Sequence, residues 1–518
     1  MKLNYKRTIF VGFAFFLICA FWQAYDATIP VILTNKFGMS QGWSGVIMAL
    51  DNILALFMLP LFGALSDKCK SRSGKRTPFI VVGTIIAAIA LLGLAFVDSQ
   101  QRGNLGFIAT IDELDKAGIY HMQKDAKLQT PEGESFVLSE IFTMEEFNKI
   151  KPEVVDPETG KTATNPDYTN YVVPARQACA AQITAKNPVP LIWFIALLLI
   201  ILVAMAIFRS PAVALMPDVT IKPLRSKANA VINLMGTAGG ILVLVLGILF
   251  KTSSVKNQLM TYYGYYGVVA GIMLVALFIF LTNVWEPLWA KEMRAESVRL
   301  GLEEEEEESG EKRRLSKGER ASLILILASV ALWYFGYNAV TSKYAVYAGN
   351  ILNMDYNTTL LLAQAAAIVA YIPAGMVASK IGRKKSILAG VVMLTAAFGA
   401  ASFMRAGSSA LVMNILFALA GIGWATINVN SFPMVVEMCS GGDVGKYTGY
   451  YYTASMAAQI ATPVLSGMLM DMDGVGMTVL FPYAAVFAGL AFVTMLFVKH
   501  GDAKPESKKG LEALDIDD

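Results

Sequence analysis

About a dozen apolar runs, each roughly twenty residues long, constrain this chain more than any motif it carries. Lipid offers no hydrogen-bond partner to a peptide group, so a run of this length crosses a membrane as a helix whose backbone is satisfied internally. The runs fall near residues 8–33, 42–65, 77–97, 188–214, 227–250, 264–284, 320–341, 356–379, 386–405, 409–435, 447–470 and 477–498. Composition agrees, since 55% of the 518 residues are hydrophobic and only 16% are charged. Lys2, Lys6 and Arg7 precede the first run, as in a signal peptide, but the run is long enough to span and no small-residue cleavage site follows it. It reads as a retained first helix, and the chain as an all-α membrane protein of twelve transmembrane helices.

A short basic turn occurs twice, each time after the second run of its half. Gly63, Ser66, Asp67, Lys68, Lys70, Arg72, Gly74, Lys75 and Arg76 make the first copy; Gly375, Ser379, Lys380, Gly382, Arg383, Lys384 and Lys385 make the second. Equivalent charged turns at equivalent places point to duplication, which predicts two pseudo-symmetric six-helix bundles. The short connections hold Lys68 to Arg76, Lys222 to Lys227 and Lys380 to Lys385, and the positive-inside rule therefore puts both termini in the cytoplasm of a cell membrane.

The domains expected are an N-terminal bundle over 1–284, a cytoplasmic charged linker over 285–319, a C-terminal bundle over 320–498 and a cytoplasmic tail over 499–518. Within the first bundle, residues 98–187 form an extracellular insertion that reads as solvated, with a lid or partner-binding cap as the other reading. The linker run Glu303 to Glu308, followed by Lys312, Arg313 and Arg314, has the composition of solvated helix or disorder. Cys19, Cys69, Cys179 and Cys439 lie far apart and imply neither a disulfide framework nor a metal site.

Gly63 to Arg76 followed by Pro78-Phe79-Ile80 resembles the signature between the second and third helices of the major facilitator superfamily. The resemblance is closest to the branch of the sucrose transporters, their animal proton-coupled sugar-transporting relatives and the glycoside-pentoside-hexuronide:cation symporters. The segment from Arg209 through Pro217-Asp218 to Arg225 and Ala228-Asn229 resembles that branch's fourth and fifth helices, and Gly423-Trp424-Ala425 to Phe432-Pro433 its tenth. The resemblance implies the major facilitator fold and cation-coupled sugar transport by alternating access. There are departures. Melibiose-type members carry two aspartates on the second helix for a sodium-like cation, where this chain has Ala55 and Leu59; plant sucrose transporters carry an arginine where this chain has Val213. With the sodium pair missing, protons are the expected coupling ion.

A charged side chain at mid-membrane costs about 3 kcal/mol on insertion scales, so each one calls for an explanation. Asp26 lies in the first span with Gln23 and Tyr25 nearby, Asp51 in the second beside Asn52, and Arg209 in the fourth before Pro211. Asp26 and Asp51 sit at comparable depth and would share a cavity if both face inward. Desolvated carboxyls bind and release protons near physiological pH, and a guanidinium offers a paired donor to sugar hydroxyls or holds an aspartate ionised. The competing reading for each is a structural partner within the bundle. Sugars also favour amide partners and a flat aromatic face, for which Asn233, Asn338, Tyr337, Gln364, Trp424, Asn428, Asn430 and Gln459 are available; most read as packing between helices, with Trp424 and Asn428 the preferred further binders.

The charges at the cytoplasmic ends suit gating better than binding. Asp67, Arg72, Arg76, Asp218 and Arg225 in the first half, and Arg383, Glu437 and Lys446 in the second, are placed to latch the halves in one state and part in the other. Topology anchoring is the plainer reading of the basic turns. No phosphate-binding loop, nucleophile with a matching base, or His or Cys cluster is present; an ATP-driven pump, an enzyme and a cofactor-dependent protein are not expected, and nothing supports nucleic-acid binding. The function expected is proton-coupled symport of a sucrose-like glycoside by a monomer in a lipid bilayer. Alternatives are a uniporter or exporter of another small polar or amphipathic solute, and a substrate sensor without transport.

Overall fold

The structure is a computed structural model that describes residues 3–106, 114–155, 162–221, 224–300, 316–436, 438 and 444–501. Helices α1 (Tyr5–Asn35), α2 (Gln41–Asp67) and α3 (Thr77–Leu105) lead into an insertion with the short helices α4 (Lys116–Gln123), α5 (Leu138–Ile141), α6 (Met144–Lys149) and α7 (Val173–Lys186). Long helices α8 (Val189–Val219), α9 (Arg225–Leu249) and α10 (Tyr263–Asn283) complete the first half, and α11 (Glu286–Arg299) follows it. The second half contains α12 (Lys317–Tyr347), α13 (Tyr356–Ile381), α14 (Arg383–Ala401), α15 (Ala410–Val436), α16 (Val444–Met470) and α17 (Leu480–Leu496). These twelve long helices coincide with the twelve apolar runs, and eleven of them are long and apolar enough to cross a membrane by composition alone. The exception among the described residues is α16, which packs along α2 and α12.

Each half has its own apolar core, one around Phe21, Leu91, Phe208 and Tyr266, the other around Trp333, Tyr344, Leu394 and Phe481. Ala27 and Val31 of α1 belong to the second core, so α1 packs across the boundary between the halves. Below, the side on which α1 begins and α17 ends is the terminal face, and the opposite side is the insertion face.

At the insertion face the halves touch closely. A Cβ at Gly45 of α2 would lie 1.9 Å from the Pro463 carbonyl oxygen of α16, and one at Gly467 2.2 Å from the Gln41 oxygen. The Asp471 carboxylate accepts from the Gln41 and Gly42 amides at 2.8 and 2.6 Å, capping α2 from the other half, and Lys343 Nζ donates to the Gln41 oxygen at 2.5 Å. Opposite them, Ser253 donates to Asp355 at 2.6 Å, and the Thr252 and Tyr356 hydroxyls meet at 2.8 Å. Towards the terminal face, Phe57, Leu61 and Leu65 of α2 and Met376 and Val377 of α13 are exposed.

Several expectations need correction. The third span does not end near residue 97: α3 continues to Leu105, which places Asp98 inside the helix. Fully buried Lys36 Nζ contacts both Asp98 carboxylate oxygens at 2.6 and 2.7 Å and the Met260 carbonyl at 2.6 Å, so a charge that looked like a loop marker is neutralised in the core. Part of the linker packs on the first half, where Glu286 and Trp289 of α11 are buried. Glu286 accepts from the backbone amides of Lys75, Arg76 and Thr77, capping α3, while Arg7 pairs with Glu292. The acidic run and Lys312, Arg313 and Arg314 lie outside the described residues.

The insertion, too, is a folded unit. Two antiparallel hairpins, β1 (Lys127–Gln129) with β2 (Ser135–Val137) and β3 (Glu153–Val155) with β4 (Thr162–Thr164), join the short helices around Ile119, Phe147, Tyr168, Val172 and Cys179. Buried Arg176 of α7 roots it in the first half by donating to Asn35 Oδ1 at 2.9 Å and Gln258 Oε1 at 2.7 Å. The β1–β2 turn reaches the second half: the Gly474 amide donates to the Gly133 carbonyl at 2.8 Å and the Met477 amide to Pro131 at 2.7 Å. Gly133 and Gly476 both have positive φ, and a Cβ on either would overlap the other strand of this contact.

Arg176→Ala removes two charge-assisted bonds from a buried position, a cost of about 3 kcal/mol. Limited proteolysis of the insertion should speed up markedly in this variant, and an unchanged cleavage rate would show that the root lies elsewhere.

Candidate functional site

A cavity of about 460 Å³ lies between the halves at mid-membrane. Its walls differ in chemistry. From the first half come Trp22, Gln23 and Asp26 of α1, Arg209 of α8 and Thr237 of α9; from the second come Tyr337 and Thr341 of α12, Gln364 and Tyr371 of α13 and Trp424 of α15. The charged residues on the wall therefore come from the first half, and most of the aromatic surface from the second, with Trp22 the first half's aromatic contribution.

Asp26 and Asp51 lie within electrostatic range of one another, and Asp51 is also within range of Arg209. The Asn52 amide donates to Asp51 Oδ1 at 2.8 Å and orients it. Tyr25 is buried and turned from the cavity into an aromatic cluster with Phe21 and Trp22, its ring 6.0 and 5.4 Å from theirs. Its hydroxyl nonetheless sits within the field of both aspartates. The three ionisable residues singled out in the sequence are thus brought together, with Asp26 and Arg209 on the cavity wall and Asp51 behind it.

On the facing wall the Trp424 and Tyr337 rings stack at 3.6 Å with 3° between their planes, and Tyr334 meets Trp424 edge-on at 5.2 Å. Gln364 Nε2 donates to Gln23 Oε1 at 2.6 Å, a hydrogen bond that crosses from one half to the other inside the cavity. Asn428 lies one helical turn beyond Trp424, half-buried, and is not among the cavity-lining residues. Trp22, Thr237, Thr341 and Tyr371 were not anticipated. Aromatic and hydroxyl residues in an apolar run look the same whether they pack or line a passage, and only helix rotation tells them apart.

At the terminal face the charges that were expected to latch the halves in one state pair within the first half. Arg76 gathers both acids of its own half, with Nε donating to Asp218 at 2.7 Å, Nη2 to Asp67 at 2.5 Å and Nη1 to Ser66. Arg76 stands at the start of α3, between the ends of α2 and α8 that carry the two acids. Arg225 bonds to the carbonyls of Pro217 and Thr220 rather than to Asp218. Arg72 is exposed and Arg383 half-buried at the first turn of α14. Glu437 and the Lys446 side chain lie outside the described residues.

Two family models match the chain, one in each half. Residues 10–109 match the model for MFS/sugar transport proteins, and residues 354–515 that for the Major Facilitator Superfamily. Sucrose transport protein SUC4 of Arabidopsis thaliana is 37% identical over 90 residues, 16% of this chain and 18% of its own length. Proton-associated sugar transporter A of Mus musculus is 32% identical over 90 residues, 16% of this chain and 12% of its own. The matched stretch is thus less than a fifth of either relative. Among solved structures, the inward-open xylose transporter XylE from E. coli aligns with a TM-score of 0.58 at 15% identity, covering 99% of both chains. A bacterial homologue of the iron transporter ferroportin, in its inward-facing state, aligns with a TM-score of 0.59 at 12% identity over 96% of this chain and all of its own. At these identities the structural likenesses establish the fold alone.

Proposed function

As the chain belongs to the major facilitator superfamily of membrane transporters, we propose that it is a proton-coupled symporter of a sugar or glycoside, of the size of a sucrose-like disaccharide, working by alternating access. The observation that carries this reading is the division of labour in the cavity, with Asp26 and Arg209 on one wall and the Tyr337–Trp424 stack on the other. A pyranose ring presents hydroxyls at its rim and C–H groups on its face, which suits such a pair of walls. The carboxylates supply the proton site, and the arginine biases their ionisation or binds hydroxyls once a proton is held. The printed names of the sucrose and proton-associated sugar relatives support the same substrate class and ion.

In this reading the bundles over 1–284 and 320–498 rock about the cavity, and the terminal face is cytoplasmic in a cell membrane. Asp67, Asp218 and Arg76 exchange partners as the faces alternate.

The test is uptake of a sugar panel, sucrose and maltose included, into proteoliposomes with and without an imposed pH gradient. Accumulation that requires an acidic exterior and acidifies the lumen supports symport. Flux indifferent to the gradient makes the protein a uniporter, and binding without flux makes it a sensor.

Trp424→Ala should raise the KM for sugar about tenfold, since it removes the aromatic face and unstacks Tyr337. Calorimetric titration checks the affinity directly, and an unchanged value would take the stack out of the binding site.

A further inference from the structure

We infer that the groove between α11, the turn after α2 and the turn after α8 is a binding site for the headgroup of an anionic phospholipid. This groove, of about 920 Å³ at the terminal face, is separate from the central cavity. Five basic side chains line it: Lys70 and Lys75 from the first turn, Arg225 from α9, and Lys291 and Arg294 from α11. Two acids line it as well, and both are already occupied. Glu286 accepts from the backbone of Lys75, Arg76 and Thr77 and from the Thr77 hydroxyl, and Asp218 accepts from Arg76. Arg225 is held only by neutral carbonyls. Among the described residues no carboxylate pairs with Lys70, Lys75, Lys291 or Arg294, so the groove carries a positive field that its own acids do not cancel.

The chemistry that answers this is a phosphate-bearing anion, and the position of the groove favours a lipid over a soluble ion. Helix α11 begins three residues after membrane helix α10 ends. Trp285, which caps its start and is 63% exposed, points outward with Leu288 and Val298 of the helix, while Trp289 faces the protein. A charged helix that follows a span directly and begins at an outward tryptophan lies at headgroup level, where anionic lipid is concentrated and soluble phosphate is not. The wall opposite is rigid, because the carboxylate of Glu286 fills the place where a side chain at Gly74 would sit.

The experiment uses the full chain, delipidated in a neutral detergent, titrated with phosphatidylglycerol or phosphatidylcholine and read as lipid adducts by native mass spectrometry. Wild-type protein should prefer phosphatidylglycerol by at least about tenfold, as several basic residues at a surface each contribute to anionic-lipid affinity. K70Q/K75Q/K291Q/R294Q should lose that preference, and a preference retained in full would overturn the assignment. If this variant does not fold, K291Q/R294Q changes two exposed positions only and should still lower the preference about threefold; no change there overturns it equally. Excess inorganic phosphate should leave the phosphatidylglycerol adduct in place. Displacement by phosphate alone would make the ligand a soluble anion and remove the lipid from the proposal.

Discussion

Asp26→Asn is expected to abolish uptake of sugar against a gradient, lowering the accumulation ratio by about a hundredfold or more, while exchange of sugar between equal concentrations survives. Asp26 is the carboxylate on the cavity wall, and Asp51 sits behind it with its own amide partner. An asparagine keeps the shape and a hydrogen-bonding capacity but holds no exchangeable charge, so the sugar passage remains and the coupling is lost. Asp51→Asn should act in the same direction but less strongly, because that residue does not line the cavity. Arg209→Gln should weaken both binding and coupling, since its guanidinium faces the cavity and lies in the field of Asp51. The measurement is concentrative uptake beside counterflow in the same vesicles. Full accumulation by the Asp26 variant would remove this residue from the proton path and the proposed coupling with it.

Gly45→Val should hold the insertion face open and reduce turnover at least about tenfold, because closure there needs backbone against backbone. The added Cβ would meet the Pro463 carbonyl at 1.9 Å, and the reciprocal Gly467 leaves no slack on the other side. A carbonyl in a helix cannot rotate aside as a flexible side chain can, so α2 and α16 must separate. Labelling of Ala367→Cys, a cavity-lining position, by an impermeant maleimide added from the insertion side reports the change. Native Cys19 lines the same cavity, so the assay is run on a Cys19→Ala background, and Cys179 interferes little, as burial pushes its thiol up to about 11. Faster labelling with slower transport is the expected pair of results; unchanged labelling would mean that the Gly45–Pro463 contact is not what closes this face.

Much of the site was legible before any fold was known. Asp26, Asp51 and Arg209 stood out because a charge in an apolar run is costly, and that cost can be read one residue at a time. Trp424 stood out through its motif. The stacking partner Tyr337 and the bridge from Gln23 to Gln364 were visible only as residues of suitable type. Their pairing depends on how α12, α13 and α15 are rotated about their axes, which an apolar run surrounded by lipid and protein on different sides does not encode in its hydropathy. The same limit explains Asp98, which read as the start of a loop until Lys36, 62 residues earlier, turned out to neutralise it.

The insertion shows the limit from the other side. Its apolar residues are spread over short elements, with no single period long enough to announce a core, so composition alone pointed to a solvated segment. Pooling Ile119, Phe147, Tyr168 and Cys179 required two hairpins and four short helices to meet in space.

Hydropathy by itself determined the number of spans and the long helices, because the requirement that every peptide group in lipid be satisfied acts locally along the chain, and the repeated basic turn carried the two-fold plan. Which side chains face one another, which acids share Arg76, and where the insertion grips the second half were decided only by tertiary structure. Most of those contacts join residues far apart in the chain, and their energies depend on distance and orientation that no stretch of sequence contains.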